Sequence, residues 1–348
     1  MDISQYYHKI SSDFKRVAQF LGLLAATAVL IILAYIINIL NTPVHNSGQE
    51  FRIKSGSTVH QIANFLSKKG IIDEPEKFVL AVKIKGKSRK LKAGYYKVEK
   101  AENYAQLINL LAANNQHTVR VTIPEGSTTK EIAKILSNYF SFSDTTFLDS
   151  ARSQNLIRKY DLEVSKLEGY LFPDTYYFYP HVHPSDVIDK MVTTLFEKIN
   201  GDLQKQIKGS KYSLHEILTL ASIIEGECIL DKERPTVSSL YHNRLNMRMH
   251  LNADPTIQYI ISDPPRRLLK EDLKIQSPYN TYINYGLPPG PVNNPGLSSI
   301  QAAVNPANTN YLYMVAKGNG EHAFTRDYDQ FLEYKQDFQE YRRKVNNK

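Results

Sequence analysis

The chain has 348 residues, of which 42% are hydrophobic and 22% charged, so it has the composition of a folded protein and the length for two or three compact units. Its single cysteine, Cys228, excludes an intramolecular disulfide and a cysteine-rich metal site, and no HExxH motif is present, so we expect no metal or cofactor. The formal net charge of +8 would attract nucleic acid, anionic lipid or a carboxylate-bearing cell wall, without choosing among them.

The first predicted element is a membrane anchor at residues 17–40. This run of 24 residues contains no charge, and a helix of that length spans about 36 Å, enough for a hydrocarbon core of about 30 Å. The alternative, a cleaved signal peptide, has a shorter apolar core followed by a small-x-small site, which the sequence lacks. Lys9, Lys15 and Arg16 precede the run, so the positive-inside rule places residues 1–16 in the cytoplasm and the chain after the helix outside. This placement argues against a nucleic-acid partner.

An internal repeat follows a polar linker at residues 41–50. The segment 53–67, IKSGSTVHQIANFLS, aligns without a gap to the segment 123–137, IPEGSTTKEIAKILS. In each copy a short strand enters a Gly turn, and a Ser or Thr caps a helix with apolar residues at helical spacing. In the first copy these apolar residues are Val59, Ile62, Ala63 and Leu66. The first copy resembles LysM modules, which bind N-acetylglucosamine-containing glycans, over about 50 residues, and a LysM-like module is predicted at residues 51–118. A strand–turn–helix motif without a ligand is the simpler alternative.

A larger domain is predicted for residues 119–348, and it starts with the second copy of the repeat at about 119–157. The sequence also predicts a strand and a helix at 94–115 and a loop-rich stretch from Asp254 to Pro306. The other predicted elements are helices at about 184–199, from Ser213 and from about Pro235, strands at 311–316 and 322–325, and a final helix from Tyr328. Together they indicate an α+β protein with a single N-terminal transmembrane helix, a small LysM-like α/β module and a larger mixed α+β domain.

The helix that begins after Ser213 carries two glutamates near its end. Ser213 and Glu216 form the S-x-x-E capping box that fixes its start. A buried stripe at helical spacing is formed by Leu214, Ile217, Leu218, Ala221 and Ile224. At about 100° per residue, Glu225 returns to within about 20° of Leu214, whereas Glu227 points about 200° away from Glu225. The pattern therefore predicts that Glu225 lies on the buried face and that Glu227 can lie in solvent.

A carboxylate on a buried stripe is costly unless it is paired, protonated or lining a cleft. Burial raises the pKa of a carboxyl group, as a general acid at neutral pH requires. The alternative is a buried ion pair of Glu225 with Arg234 or Arg244. Gly226 would end or open the helix and leave room for a substrate beside the acid.

Several separated motifs then occur in the order found in one enzyme family. They are ASIIEGE at 221–227, ERPTVSSLYHNRLNMRMHLNADPTIQY at 233–259, SPYNTY at 277–282, GLPPGPVNNPG at 286–296, AAVNPANTNYLYMV at 302–315 and HAFT at 322–325. With these motifs and its N-terminal apolar run, the chain resembles the endolytic murein transglycosylase (YceG-like) family. In that family the catalytic residue is the glutamate of the ASI-x-E segment, and the matching position here is Glu225. Gly226 and Cys228 depart from the family pattern, where larger polar residues are expected.

The resemblance implies a lytic transglycosylase that cuts peptidoglycan glycan strands between N-acetylmuramic acid and N-acetylglucosamine. One carboxyl group suffices, because the C6 hydroxyl of the sugar is the nucleophile. Glu225 would protonate the glycosidic oxygen and then accept the C6 hydroxyl proton, leaving a 1,6-anhydro-muramoyl end. The implied location is the cytoplasmic (inner) membrane, with the catalytic part in the periplasm or outside. The implied partners are glycan strands, the membrane and peptidoglycan synthases. A nucleic-acid partner is not expected.

Eight other residues are candidates for substrate binding. The segments 254–256 and 293–296 are predicted to form rigid turns. These turns could aim amide and carboxylate groups at sugar hydroxyls, or they could only shape the fold. Because the chain has no Trp, tyrosine must supply any stacking against sugar rings. The candidates are Glu168 as a substrate-facing carboxylate, Tyr170 and Tyr176 as stacking platforms, and Asp254, Thr256, Asn293, Asn294 and His322.

Two other functions fit the same sequence. A hydrolytic muramidase would need a second carboxylate to hold water, for which Asp254 is the candidate, and it would leave reducing ends. A non-catalytic, membrane-anchored scaffold would bind glycan through the repeats and recruit synthesis enzymes, and Glu225→Gln would not affect it. An anionic-lipid-binding protein is supported by the net charge alone.

Overall fold

The computed structural model describes residues 3–45, 48–99, 101–113, 117–262 and 264–346 and, within these, every side chain except those of residues 3–15 and 346. It divides into two units, Met1–Thr118 and Val119–Lys348. Some predicted features lie outside the described residues: positions 46 and 47 of the linker, positions 100, 114 and 115 of the strand–helix segment, position 263 of the loop-rich stretch, and the side chains of Lys9 and Lys15.

The first element is a long helix, α1, Ile3–Leu40. Its stretch Arg16–Leu40, with 25 residues, is long and apolar enough to cross a membrane and contains the predicted span. Most of its described side chains are exposed, but Ile39 is fully buried in the core of the first unit. By length and composition this stretch could be a membrane anchor or a signal sequence, and either is consistent with a membrane location.

The rest of the first unit is a two-stranded sheet with three helices. Its elements are β1 (Glu50–Ile53), α2 (Val59–Lys68), α3 (Pro75–Ile84), β2 (Gly94–Lys97) and α4 (Tyr104–Ala112). The two strands pair antiparallel, with Phe51 opposite Tyr96. Thr58 and Gln61 form a capping box at the start of α2. Ile62, Ala63 and Leu66 on this helix are buried, as their spacing predicts.

The second unit opens in a similar way, with a strand and two helices, but a third helix precedes its second strand. These elements are β3 (Val119–Thr122), α5 (Thr129–Ser137), α6 (Asp144–Ala151), α7 (Gln154–Lys159) and β4 (Thr175–Phe178). Thr128 and Glu131 form the capping box of α5, as Thr58 and Gln61 do in the first copy. The strands again pair antiparallel, with Val121 opposite Tyr176. The predicted second repeat ended near residue 157, so the strand that completes this sheet lies beyond it.

The remaining elements include a central helix, α10. In chain order they are α8 (Pro184–Lys198), α9 (Gly201–Gly209), α10 (Leu214–Glu227), α11 (Arg234–Asn246), α12 (Asp254–Ile260), α13 (Leu297–Val304), β5 (Tyr313–Ala316), β6 (His322–Thr325) and α14 (Tyr328–Asn346). The predicted capping box of Ser213 and Glu216 starts α10. All eight residues from Ile217 to Ile224 are buried, and α10 contacts α9, α11, α12 and α13. This helix is therefore buried on every side along its middle.

The mixed α+β architecture is confirmed, and so are the predicted starts of α8, α10, α11 and α14. The two predicted C-terminal strands are also present, as β5 and β6, and they pair antiparallel. The stretch from Asp254 to Pro306 was predicted to be loop-rich, yet it contains α12 and α13. Its segment 254–256, predicted to be a rigid turn, is the first turn of α12. Pro255 fits there because the first turn of a helix does not use that backbone N–H.

Candidate active site

Both glutamates of α10 lie at its carboxyl end, but they have different surroundings. Glu225 forms an ion pair with Arg234, whose Nη2 lies 3.1 Å from Oε1, and its Oε2 accepts the backbone N–H of Gly296 at 3.0 Å. The two side chains are only 7% and 5% exposed. Of the two partners left open by the sequence, Arg234 is the one found. Arg244 instead donates to the carbonyl oxygens of Leu312 and Leu251.

Glu125 is a second carboxyl group near this ion pair, and the sequence analysis missed it. A Cβ atom added at Gly296 would clash with the Glu125 carboxyl, so the two are in close contact. Burial raises the pKa of Glu125, and the charge of Glu225 raises it further. The Gly turn of the second repeat therefore brings an acidic side chain next to Glu225, which the segment IPEGST alone did not indicate.

Glu227 does not lie in solvent as the helical spacing predicted. Its Oε1 accepts the hydroxyl hydrogen of Tyr241 at 2.9 Å, and its carboxyl also accepts the backbone N–H of Asp254. Burial, and then the negative charge of Asp254, raises the pKa of Glu227 to about 7. A carboxyl group with such a pKa can both donate and accept a proton near neutral pH. Glu227 therefore has the proton affinity that a general acid at neutral pH requires.

Glu227 also lines the main cleft of the second unit, which has a volume of about 760 Å³. Asp254 and Asn293 lie on the same wall, and Lys166, Glu168 and Tyr259 line it as well. Glu225 is not one of the described residues that line this cleft. A carboxyl group with a perturbed pKa that lines a cleft is a candidate catalytic acid.

Gly226 allows α10 and α12 to pack closely beside this cleft. A Cβ atom at this position would lie 2.6 Å from Cγ of Pro255, too close for any real contact. The helix continues through Gly226 to Glu227, so this glycine does not end or open the helix as predicted. Its role is to bring the start of α12, and with it Asp254, up to Glu227.

Asp254 and Asn293 are the predicted substrate residues that the structure brings to the cleft beside Glu227. Asp254 Oδ1 accepts the hydroxyl hydrogen of Tyr282 at 2.5 Å. Asn293 donates from Nδ2 to the carbonyl oxygen of Ser222 at 2.8 Å, and its buried Oδ1 has no partner in the described part of the chain. Both residues remain candidates for binding substrate.

Glu168 lines the cleft, but its oxygens are already occupied. Oε1 accepts from the backbone N–H and hydroxyl of Thr129 and from Asn294, and Oε2 accepts from Tyr259 at 3.3 Å. Burial raises the pKa of this carboxyl against the effect of these donors. Its position indicates that Glu168 shapes the wall of the cleft, since few of its lone pairs are left for a sugar.

Asn294 holds three loops together and is fully buried. Its Oδ1 accepts the backbone N–H groups of Gly169 and Leu171, each at 2.9 Å, and its Nδ2 donates to the carbonyl oxygen of Ser127 and to Glu168. All four hydrogen-bonding positions of the side-chain amide are therefore used within the protein. This leaves none for the predicted contact with substrate.

The other predicted substrate residues are also committed to the protein interior. Tyr170 and Tyr176 are 1% and 4% exposed, so no sugar ring can stack on either of them. Thr256 is fully buried and bonds to Ala253 and Thr281. His322 Nδ1 lies 2.8 Å from Oε2 of Glu233, and His322 is not among the residues that line the cleft. Tyr259, which lines the cleft, is the tyrosine that the sequence analysis missed.

Comparisons with known proteins show the family of this chain. The model of the YceG-like family matches residues 51–337. An endolytic murein transglycosylase of Bacillus subtilis is 34% identical over 293 residues, which cover 79% of this chain and 80% of the relative. An endolytic murein transglycosylase of Streptococcus pneumoniae is 31% identical over 295 residues, but the match spans only 53% of that relative. The crystal structure of a yceG-like protein from Listeria monocytogenes has a TM-score of 0.58 and 30% identity, and covers 82% of this chain and 98% of its own.

Proposed function

Since this chain belongs to the YceG-like family, whose matched relatives are named endolytic murein transglycosylases, we propose that it cuts peptidoglycan strands between N-acetylmuramic acid and N-acetylglucosamine with Glu227 as its acid. Its similarity to the Bacillus relative over about four-fifths of both chains makes it a peptidoglycan lytic transglycosylase. The assignment of Glu227 rests on one observation above the others, the pKa of about 7 of a carboxyl group that lines the main cleft.

The proposed reaction uses Glu227 twice. Its proton goes to the glycosidic oxygen as the bond from that oxygen to C1 of the muramoyl sugar breaks. The C6 hydroxyl oxygen then bonds to C1, and its proton returns to Glu227. The strand is left with a 1,6-anhydro-muramoyl end, and no water is consumed. A pKa near 7 suits both steps, because the same group must be acid first and base second.

The neighbours of Glu227 keep it ready for this cycle. The Tyr241 hydroxyl fixes the orientation of the carboxyl by donating to Oε1. Asp254 opposes ionisation of Glu227 through its charge, while its backbone N–H stabilises the carboxylate once the proton has left. Glu225 is proposed to have a structural role. Its ion pair with Arg234 and its hydrogen bond from the backbone N–H of Gly296 fix the position of the end of α10.

The N-terminal part supports a location at the membrane. We propose that Arg16–Leu40 anchors the protein in the cytoplasmic membrane, with the basic N-terminus inside and the chain after Leu40 outside, where peptidoglycan is built. The strand–helix–helix–strand order of β1 to β2 supports a LysM-like module that binds glycan. Peptidoglycan synthases are the proposed protein partners, by resemblance to the family.

Mass spectrometry of the reaction products tests the proposed function. The full-length protein in detergent is incubated with uncrosslinked glycan strands, and the new ends are identified. Anhydro-muramoyl ends are expected. Reducing ends would instead indicate a hydrolase, which Asp254 beside Glu227 would serve by holding water. If the folded protein makes no new ends, the non-catalytic scaffold would be the better account.

A further inference from the structure

The cleft carries three basic side chains in addition to its acidic ones. Lys130 lies on α5, Arg152 directly follows α6, and Lys166 precedes the buried Glu168. None of the three forms an ion pair within the part of the chain that the structure describes. The proposed cleavage of neutral sugars does not require cations, so these side chains are unexplained by the catalytic account.

Lys166 is the most restrained of the three. Its ammonium donates to the hydroxyl of Tyr259 at 2.6 Å and lies 4.9 and 5.1 Å from the ring centres of Tyr259 and Tyr279. Burial lowers the pKa of Lys166; the charge of Glu168 raises it, and the smaller effect of the Arg152 charge lowers it. The charges of Lys166 and Arg152 act on each other, so the two side chains lie close enough in this cleft to act on one bound anion.

The acidic neighbours of this wall have other partners. Glu168 is held by four donors, and reaches Lys166 only through the Tyr259 hydroxyl. Glu131 accepts from the backbone N–H and hydroxyl of Thr128 in the capping box of α5. Neither carboxylate lies within ion-pair distance of the three cations in the described structure. Arg152 and Lys130 are exposed and remain available to a bound anion.

We infer that Lys130, Arg152 and Lys166 form a subsite for a carboxylate carried by the glycan strand. This inference rests on the proposed function. The sugar rings of peptidoglycan are uncharged, and the carboxylates of a strand belong to the lactyl group on C3 of the muramoyl sugar or to the peptide attached to it. A cation wall in the same cleft as Glu227 would therefore select muramoyl sugars by this substituent and set which bond meets the acid.

The test measures kcat/KM of the full-length protein on three forms of one uncrosslinked strand. The first carries its peptides, the second has all carboxylates amidated with a carbodiimide, and the third has been stripped of peptides by an amidase, so that only lactyl carboxylates remain. The variants are Arg152→Gln and Lys166→Gln. Arg158→Gln is the matched control, because Arg158 is exposed on α7 and does not line this cleft.

We expect amidation of the strand to lower kcat/KM of the unmodified protein about tenfold, as loss of a charge-assisted contact would. Arg152→Gln should lower it about fivefold on the native strand and leave it unchanged on the amidated one. Arg158→Gln should have no effect on either. Losses on the peptide-bearing strand would identify a peptide carboxylate as the ligand, because the lactyl carboxyl is amide-bonded to the peptide there. Losses confined to the stripped strand would identify the free lactyl carboxylate.

Two outcomes would overturn the inference and are distinct from failure of the proposed function. One is equal cleavage of native and amidated strands by the unmodified protein. The other is a loss by Arg152→Gln of the same size on both strands, which would indicate a structural effect. If the unmodified protein cleaves none of the strands, the proposed function itself fails.

Discussion

Removing the charge of Asp254 should shift the pH dependence of the enzyme to lower pH. The pKa of Glu227 is raised from 4.5 to about 7, first by burial and second by this charge. Asp254→Asn removes the charge and keeps an oxygen that accepts from Tyr282. Ionised Glu227 then becomes less costly, so its pKa should fall by about one unit.

The fall in pKa has a measurable consequence for the rate. A general acid works only in its protonated form, so activity is lost as the pH rises through its pKa. With a pKa of about 7, half of Glu227 is protonated at pH 7, and with a pKa one unit lower only about one tenth is, which predicts about fivefold lower activity at that pH. The assay is kcat/KM on soluble uncrosslinked strands from about pH 5 to 9.

Tyr282→Phe is the matched control for this experiment. It removes the hydroxyl that donates to Asp254 but leaves the negative charge beside Glu227. The alkaline limb of its profile should therefore not move to lower pH. An active Asp254→Asn variant whose alkaline limb stays in place, or moves to higher pH, would refute the assignment of Glu227 as the acid.

Three further predictions concern stability. Gly226→Ala should lower the free energy of unfolding by about 1–3 kcal/mol, because the new Cβ would lie 2.6 Å from Pro255 Cγ. This loss should exceed the gain from the higher helix propensity of alanine. Urea denaturation measures the difference, and a stabilised variant would contradict the close packing. Asn294→Ala should lower the free energy of unfolding by about 2–4 kcal/mol, since it leaves two buried backbone N–H groups without their acceptor. Urea denaturation measures this as well, and an unchanged free energy of unfolding would contradict the prediction. Glu227→Gln should stabilise the protein above pH 7 by up to about 3 kcal/mol and have little effect near pH 4. The reason is that the carboxyl group of Glu227 keeps its proton to a higher pH in the folded state than in the unfolded state, so the stability of the unmodified protein falls as the pH rises between the two pKa values. Thermal unfolding at both pH values checks this, and an equal shift in Tm at each would count against the raised pKa.

The two glutamates of α10 show what helical spacing can and cannot predict. The spacing gave the capping box, the buried stripe and a possible ion pair of Glu225 with Arg234, all of which the structure contains. It failed for Glu227 because it assumed that one face of the helix meets solvent. The uncharged run from Ile217 to Ile224 was the available sign of a helix buried all round. The partners of Glu227 come from α11 and α12, about which spacing within α10 carries no information.

Long-range contacts account for the other differences. β3 pairs with β4 more than fifty residues later, so the second repeat could not be closed from its local pattern. Tyr170, Tyr176 and Asn294 are residue types that suit sugar binding, but the same rings and amides also fill cores and tie loops. Burial separates these uses, and burial depends on elements distant in sequence.

The central claim is that Glu227 is the general acid, and it is tested most directly by comparing Glu227→Gln with Glu225→Gln in the full-length protein. Both are assayed for anhydro-muramoyl ends on uncrosslinked strands, with folding checked by circular dichroism. We predict that Glu227→Gln folds and lowers the rate at least about 100-fold. Glu225→Gln should be less stable, because Arg234 loses its buried partner, yet should retain cleavage. Full cleavage by Glu227→Gln, with none by a folded Glu225→Gln, would contradict the account.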